Sequence, residues 1–193
     1  MAEWIRHRTS PIVNRVARAI ARVLPYPNLF SVIGLLLGFL ASGFLALKLY
    51  SLGGVVLLIS GAMDMLDGAI ARAVGKVSVK GAFLDSNFDR LVELFIYLGM
   101  GMSSSALYIP AFLAFGFSMM VSYSRARLEG LTGGNRPKGF EIGERGVRLV
   151  ILCILLILGL PVLALAVVTA LALVTFGQRM LVYSRFLGRG AQG

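Results

Sequence analysis

Four aspartates stand close together in an apolar part of the chain. Asp64, Asp67, Asp85 and Asp89 are all the aspartates of the protein, and they fall within 26 residues. On helices, Asp64 and Asp67 share one face, and Asp85 and Asp89 lie one turn apart. Four carboxylates in one place repel each other, so we expect this region to hold cations.

The ligand atoms indicate which cation. Carboxylate oxygens select hard divalent ions, and no His or Cys lies nearby to suggest zinc, so we expect Mg²⁺ or Mn²⁺. Arg72, Lys76 and Lys80 add positive charge between the two acidic pairs. Hard cations beside basic side chains stabilise phosphates, which predicts phosphoryl-type chemistry. A cation or proton transporter is the rival interpretation of the same aspartates, and a non-catalytic membrane scaffold is a third.

The elements that must position these aspartates are membrane helices. Of the 193 residues, 58% are hydrophobic and 15% are charged, and the mean hydropathy is +0.84. A soluble domain is about half apolar and a quarter charged, so the surroundings of this chain must be largely lipid. This composition excludes a disordered tail, a disulfide scaffold and a soluble nucleic-acid-binding module, in spite of a net charge of +10.

We predict an all-α polytopic membrane protein in two parts. Residues 1–25 form an amphipathic interfacial helix, with Arg15, Arg18 and Arg22 opposite its apolar face. Residues 26–193 form a catalytic domain of six transmembrane helices, near residues 29–48, 52–75, 81–103, 107–128, 145–160 and 162–183. The short connection at residues 76–80 makes the second and third of these helices antiparallel neighbours, so that the two acidic stripes meet.

The basic residues orient this bundle. Eighteen of the 19 Lys and Arg residues lie in the N-terminal helix, in the second-to-third and fourth-to-fifth junctions, or towards the C-terminal end. Only Lys48 lies on the opposite side. Because Lys and Arg are retained on the cytoplasmic side, we expect an integral cell-membrane protein with both termini and the active site facing the cytoplasm.

The spacing of the acidic residues resembles a family signature. Asp64-x-x-Asp67-Gly68-x-x-Ala71-Arg72, eight residues, and Gly81-x-x-x-Asp85-x-x-x-Asp89 resemble the complete signature of the CDP-alcohol phosphotransferases. Such enzymes have six transmembrane helices, usually pair as homodimers, and transfer a substituted phosphate from a CDP-linked donor to an alcohol, releasing CMP. The resemblance implies phospholipid biosynthesis from a CDP-lipid, either CDP-diacylglycerol or CDP-archaeol, with two Mg²⁺ or Mn²⁺ ions as cofactors and no nucleic-acid partner.

The resemblance also implies a role for each matching residue. Asp64, Asp67 and Asp85 match the metal ligands of the family. Asp89 matches the position that completes the metal site and acts as general base toward the acceptor hydroxyl. The positions that lie against the CDP group are matched by Asp67, Gly68, Arg72, Ser78, Gly81 and Ala82. Ser31 departs from the family pattern, because many relatives have threonine there.

Arginines in the second half of the chain indicate what kind of alcohol the protein uses as acceptor. Guanidinium groups match phosphate geometry, so several of them on the cytoplasmic side indicate an anionic acceptor. Residues 122–127 and 144–148 resemble the phosphatidylinositol-phosphate and archaetidylinositol-phosphate synthases of the family. There, basic residues matching Arg125, Arg145 and Arg185 hold the acceptor phosphate. We therefore expect inositol phosphate as acceptor. One alternative is a phosphatidylglycerophosphate synthase that uses glycerol 3-phosphate. Another is that these arginines only set the membrane topology and bind no acceptor.

Overall fold

The protein is built from helices, as the sequence predicts. The computed structural model describes residues 13–135, 137 and 143–190, and it contains no β-strand among them. Residues 13–21 are helical (α1). The chain continues through α2 (Pro27–Ala46), α3 (Tyr50–Ala73), α4 (Val79–Ser103), a 3₁₀ turn (Ser105–Leu107), α5 (Tyr108–Leu131), α6 (Arg145–Ile157) and α7 (Pro161–Gly190).

Four helical segments in the described part of the chain are long and apolar enough to cross a membrane. They are Pro27–Ala46, Tyr50–Ala73, Ser105–Leu131 and Pro161–Gly188. Their outer surfaces carry large apolar side chains, such as Leu36, Phe39, Ile109 and Phe112, which are 62% to 73% exposed. An apolar surface of this extent is unfavourable in water, so the chain is an integral membrane protein.

The other two predicted spans differ from these four. Helix α4 has 25 residues, but it carries Lys80, Asp85, Asp89, Arg90 and Glu93. Helix α6 has only 13 residues and is about 20 Å long. The predicted end of this helix at residue 160 is wrong, because Gly159 adopts a left-handed conformation (φ 73°) ahead of Pro161.

Helix α2 is the centre of the acidic half of the molecule. Helices α3 and α4 both pack mainly against α2, α5 packs against α7, and α6 contacts α3 and α7. The expectation that α3 and α4 are direct packing neighbours therefore needs correction, since α2 lies behind both of them. Their common core contains the buried residues Ala41, Leu45, Leu57, Ile96 and Met100. This arrangement leaves a space between α3 and α4 that their acidic side chains share.

Local backbone chemistry explains the tight connection between α3 and α4. Gly75 takes a left-handed conformation (φ 67°) after α3, and the Lys76 N–H donates to the Ala71 carbonyl over 2.9 Å. The Ser78 hydroxyl then caps α4 by accepting from the Gly81 N–H at 3.0 Å. The chain thus reverses in a few residues and returns the second acidic pair to the level of the first.

Helix α1 lies against the acidic half of the bundle. Ala17 is buried against a cluster that includes Phe30 of α2 and Ala69 and Ile70 of α3. The arginines predicted for the polar face, Arg15, Arg18 and Arg22, are all exposed. The amphipathic division is therefore present in residues 13–21, and its apolar side contacts protein. Residues 1–12 of the predicted interfacial helix lie outside the described residues.

Candidate functional site

Three carboxylates converge where α3 and α4 face each other. One oxygen each from Asp64, Asp67 and Asp85 lies within 4.8 Å of the other two. Asp67 is buried, and the other two are half-buried. Carboxylates this close repel one another, and hard carboxylate oxygens are the ligands that Mg²⁺ and Mn²⁺ prefer. The donor set therefore fits the divalent ion expected from the sequence.

Helix α2 orients one of these carboxylates. The Ser31 hydroxyl donates a hydrogen bond to the Asp67 carboxylate. One turn further along α2, the Gly34 carbonyl accepts from the buried Ser60 hydroxyl of α3 at 2.7 Å. These two bonds fix α2 against α3 and hold Asp67 in one orientation, as outer hydrogen bonds do at metal sites. Serine thus supplies the hydroxyl at the position where many relatives have threonine.

Asp89 has a different partner. It follows Asp85 by one turn of α4, and its Oδ2 lies 2.6 Å from Nη1 of Arg145 at the start of α6. The same Nη1 is 3.6 Å from Oδ2 of Asp64. Arg145 thus links Asp89 to the group of three carboxylates without Asp89 being one of them. A general base here would sit next to a fixed positive charge, at the edge of the expected metal site.

The residues assigned to the CDP group surround the α3–α4 connection. Arg72 is exposed, and its Nη1 lies 3.4 Å from where a Cβ on Gly68 would stand, so the Arg72 guanidinium lies over the Gly68 backbone. Ser78, Gly81 and Ala82 form the first turn of α4 and its cap. These residues lie at the α3–α4 connection, and their contact with a CDP group stays a prediction.

Lys76 is engaged elsewhere. Its Nζ donates to the Pro25 carbonyl at 3.2 Å and stands 5.5 Å from the centre of the Tyr26 ring. The expectation that Lys76 adds charge beside the aspartates is thus not met in this conformation, because the α1–α2 junction holds its ammonium group.

The three predicted acceptor arginines do not meet in the described contacts. Arg145 reaches the carboxylates. Arg125 pairs with Glu129 one turn later on α5, Nε to Oε1 over 2.9 Å. Arg185 is exposed near the end of α7. The structure therefore joins one of the three directly to the acidic site.

Sequence reasoning missed Glu93. This buried carboxylate lies one turn beyond Asp89 on the acidic stripe of α4, and three arginines surround it: Arg90, Arg145 and Arg148. The spacing Asp85, Asp89, Glu93 was a usable signal, because residues four apart share a helix face. The prediction considered only the aspartates.

Known proteins share both the fold and the sequence. The family model for CDP-alcohol phosphatidyltransferase matches residues 24–183. An archaetidylinositol phosphate synthase of Pyrococcus horikoshii is 36% identical over 180 residues, covering 93% of this chain and 95% of the relative. A phosphatidylinositol phosphate synthase of Mycobacteroides abscessus is 32% identical over 157 residues, covering 76% and 68%.

Solved structures of a similar enzyme have the same fold. The crystal structure of Mycobacterium tuberculosis phosphatidylinositol phosphate synthase with CDP-DAG bound is 25% identical, with a TM-score of 0.75 over 90% of this chain and 94% of that one. The same enzyme in complex with manganese and citrate has a TM-score of 0.75 at 24% identity, covering 89% and 88%. The family model, the relatives and the acidic spacing agree, and the chain belongs to the CDP-alcohol phosphatidyltransferase family.

Proposed function

We propose that the protein transfers a phosphatidyl-type group from a CDP-lipid to inositol phosphate and releases CMP. The observation that carries this proposal is the convergence of Asp64, Asp67 and Asp85 within 4.8 Å, with Asp89 held beside them. It occurs in a membrane chain 36% identical to an archaetidylinositol phosphate synthase along nearly its whole length.

The donor binds at the α3–α4 connection in this proposal. Asp64, Asp67, Asp85 and Asp89 would hold two Mg²⁺ or Mn²⁺ ions, which would supply positive charge for the donor pyrophosphate and the departing CMP. Asp67 also contacts the CDP group. That group lies along a surface formed by Gly68, Arg72, Ser78, Gly81 and Ala82, where small residues admit a flat nucleotide and Arg72 and Ser78 face the phosphates.

The reaction is a substitution at phosphorus. The acceptor hydroxyl attacks the lipid-linked phosphorus, the bond from phosphorus to the bridging oxygen breaks, and CMP leaves with that oxygen. Asp89 takes the hydroxyl proton, as a positioned carboxylate can in general base catalysis. Its ion pair with Arg145, Oδ2 to Nη1 over 2.6 Å, orients the carboxylate next to the proposed acceptor site.

The acceptor phosphate is held by Arg125, Arg145 and Arg185 in this proposal. Of these, Arg145 is best placed, since its guanidinium already lies within the acidic site. A cation that bonds Asp89 can also bond an incoming phosphate, which brings the acceptor and its base together.

We also propose six transmembrane helices, α2 to α7, with both termini and the active site on the cytoplasmic side, and assembly as a homodimer. Residues 1–25 serve as the interfacial helix and residues 26–193 as the catalytic domain. An antiparallel α6–α7 hairpin supports this topology, because the Gly143 N–H just before α6 donates to the Thr175 hydroxyl at the middle of α7 over 3.0 Å. The net positive charge of the cytoplasmic connections supports the orientation.

Proteoliposomes containing the purified protein test the function. With CDP-diacylglycerol or CDP-archaeol and labelled inositol phosphate, we expect metal-dependent CMP release and a labelled phospholipid. Chelation of the metal should stop both. Ion flux without CMP release would instead support the transporter, and use of glycerol 3-phosphate in place of inositol phosphate would support the glycerophosphate synthase.

A further inference from the structure

Glu93 is a buried carboxylate that no step of the proposed reaction uses. Only 8% of the residue is exposed, on the face of α4 that also carries Asp85 and Asp89. Its Oε2 accepts from Nη1 of Arg90 at 2.8 Å, and its Oε1 lies 3.7 Å from Nε of Arg145. Glu93 thus stands behind Arg145, on the side away from the metal ligands.

A second buried arginine depends on the same carboxylate. Arg148 is 2% exposed, and its Nη1 donates to the Gly143 carbonyl at 2.6 Å. Among the described residues, Glu93 is the acidic partner of Arg148, and Nη2 of Arg148 lies 3.7 Å from Oε1 of Glu93. A buried guanidinium without a counter-charge costs several kcal/mol, so Glu93 is what permits Arg148 to be there.

Glu93 therefore connects three helices around the acceptor side. Arg90 on α4 also donates to the Ser122 hydroxyl of α5. Arg145 and Arg148 lie on α6, one turn apart on the same face. The single carboxylate faces all three guanidinium groups: it is hydrogen-bonded to Arg90 and lies 3.7 Å from both Nε of Arg145 and Nη2 of Arg148. Neither of those two buried nitrogens has a hydrogen-bond partner among the described residues, so Glu93 attracts Arg145 by charge at its Nε while Nη1 lies 2.6 Å from Asp89.

We propose that Glu93 is the positioning residue of the acceptor site: it holds Arg145 in the orientation that receives the acceptor phosphate next to Asp89. This rests on the proposed function, since it requires a phosphorylated acceptor. Glu93 is buried behind Arg145 and does not touch the substrate itself. Without its charge, the acidic partners of Arg145 in the described part of the chain are Asp89 and Asp64, and Arg145 moves toward them, away from the acceptor.

Steady-state kinetics of Glu93→Gln, which keeps the side-chain shape, test the proposal. We expect the KM for inositol phosphate to rise about tenfold, because the substitution removes the buried charge that attracts Nε of Arg145 from 3.7 Å. The kcat and the KM for the CDP-lipid should stay within about twofold. Glu93→Asp keeps the charge and should recover most of the loss. Tyr97→Phe is the matched control, since it removes a buried polar group one turn away without changing charge.

A double-mutant cycle shows whether Glu93 acts through Arg145. In an Arg145→Gln background, Glu93→Gln should raise the acceptor KM by less than about twofold. Equal effects in both backgrounds would overturn the proposal, as would a loss confined to kcat. Mn²⁺ binding, followed by electron paramagnetic resonance, should persist in Glu93→Gln and report that the protein is folded. If Glu93→Gln does not fold, Glu93→Asp is measured instead. A normal acceptor KM with normal Mn²⁺ binding supports the role of the charge. A lower kcat with an unchanged acceptor KM rejects it.

Different results would overturn the proposed function and the role of Glu93. An inactive wild type would overturn the proposed function. An active wild type whose acceptor KM is unchanged by Glu93→Gln would overturn the assignment of Glu93 alone.

Discussion

The two halves of the site are built in different ways. The metal-binding half comes from α3 and α4, whose acids lie within 26 residues and are brought together by one short connection. The acceptor half depends on Arg145, which reaches Asp89 from 56 positions further along the chain. The first half is therefore determined by local spacing and the second by tertiary packing. Substitutions in the two halves should consequently fail in different ways.

The largest effect should come from the metal ligands. Asp85→Asn, and likewise Asp64→Asn, should abolish Mn²⁺ binding and CMP release together, because a neutral amide cannot replace a charged hard-oxygen ligand. Titration of Mn²⁺ by electron paramagnetic resonance and a CMP-release assay provide the measurements. Asn87→Ala, an exposed polar change on the same helix, is the control. Full activity in either aspartate variant would remove that residue from the site.

Asp89 should separate catalysis from metal binding. Asp89→Asn should lower kcat by about 10² to 10⁴, the usual contribution of a general base, while the three remaining carboxylates still bind Mn²⁺. Single-turnover kinetics measure the chemical step directly. Loss of all Mn²⁺ binding in this variant would place Asp89 among the indispensable ligands and contradict the distinction drawn here.

The three acceptor arginines should differ in how much each contributes to binding of the acceptor. Arg145→Ala should weaken use of inositol phosphate by about 1.5 to 3 kcal/mol and leave CDP-lipid affinity almost unchanged. Arg125→Ala and Arg185→Ala should also weaken it, but by less, because Arg125 has a partner on its own helix and Arg185 is exposed. Acceptor KM values for the three variants test the order. Equal effects would show that the arginines meet once substrate is bound.

The smallest effect tests how α6 is placed. A Cβ on Gly143 would lie 2.6 Å from the Thr175 hydroxyl oxygen and 2.8 Å from the Leu171 carbonyl oxygen. Gly143→Ala should therefore destabilise the protein by about 1 to 3 kcal/mol and raise the acceptor KM by displacing Arg145. Gly146→Ala is the matched control, because its Cβ meets nothing within 4 Å. Thermal unfolding in detergent should distinguish the two, and equal melting temperatures would contradict the clash.

The sequence was most informative where function depends on short spacing. The group Asp64, Asp67 and Asp85 and the all-α fold could be predicted, because the acids follow a short, regular spacing on two helices joined by a few residues, and the helices follow from apolar composition. The role of Glu93 could not be derived in the same way, since two of its three partners, Arg145 and Arg148, come from α6. The packing of α3 and α4 on α2 also depends on tertiary contacts that hydropathy does not encode.

Helix α4 has a consequence for how the protein enters the bilayer. Each charge at the centre of a membrane helix costs about 2.5 to 3.5 kcal/mol during insertion, so α4 alone is a poor substrate for the translocation machinery. The acidic face of α4 is stable in the membrane only after Arg145 and Arg148 of α6 neutralise Asp89 and Glu93. In the six-span topology, α4 must therefore remain in a protected environment after its synthesis until α6 has also been made, and membrane integration and assembly of the active site are then a single event.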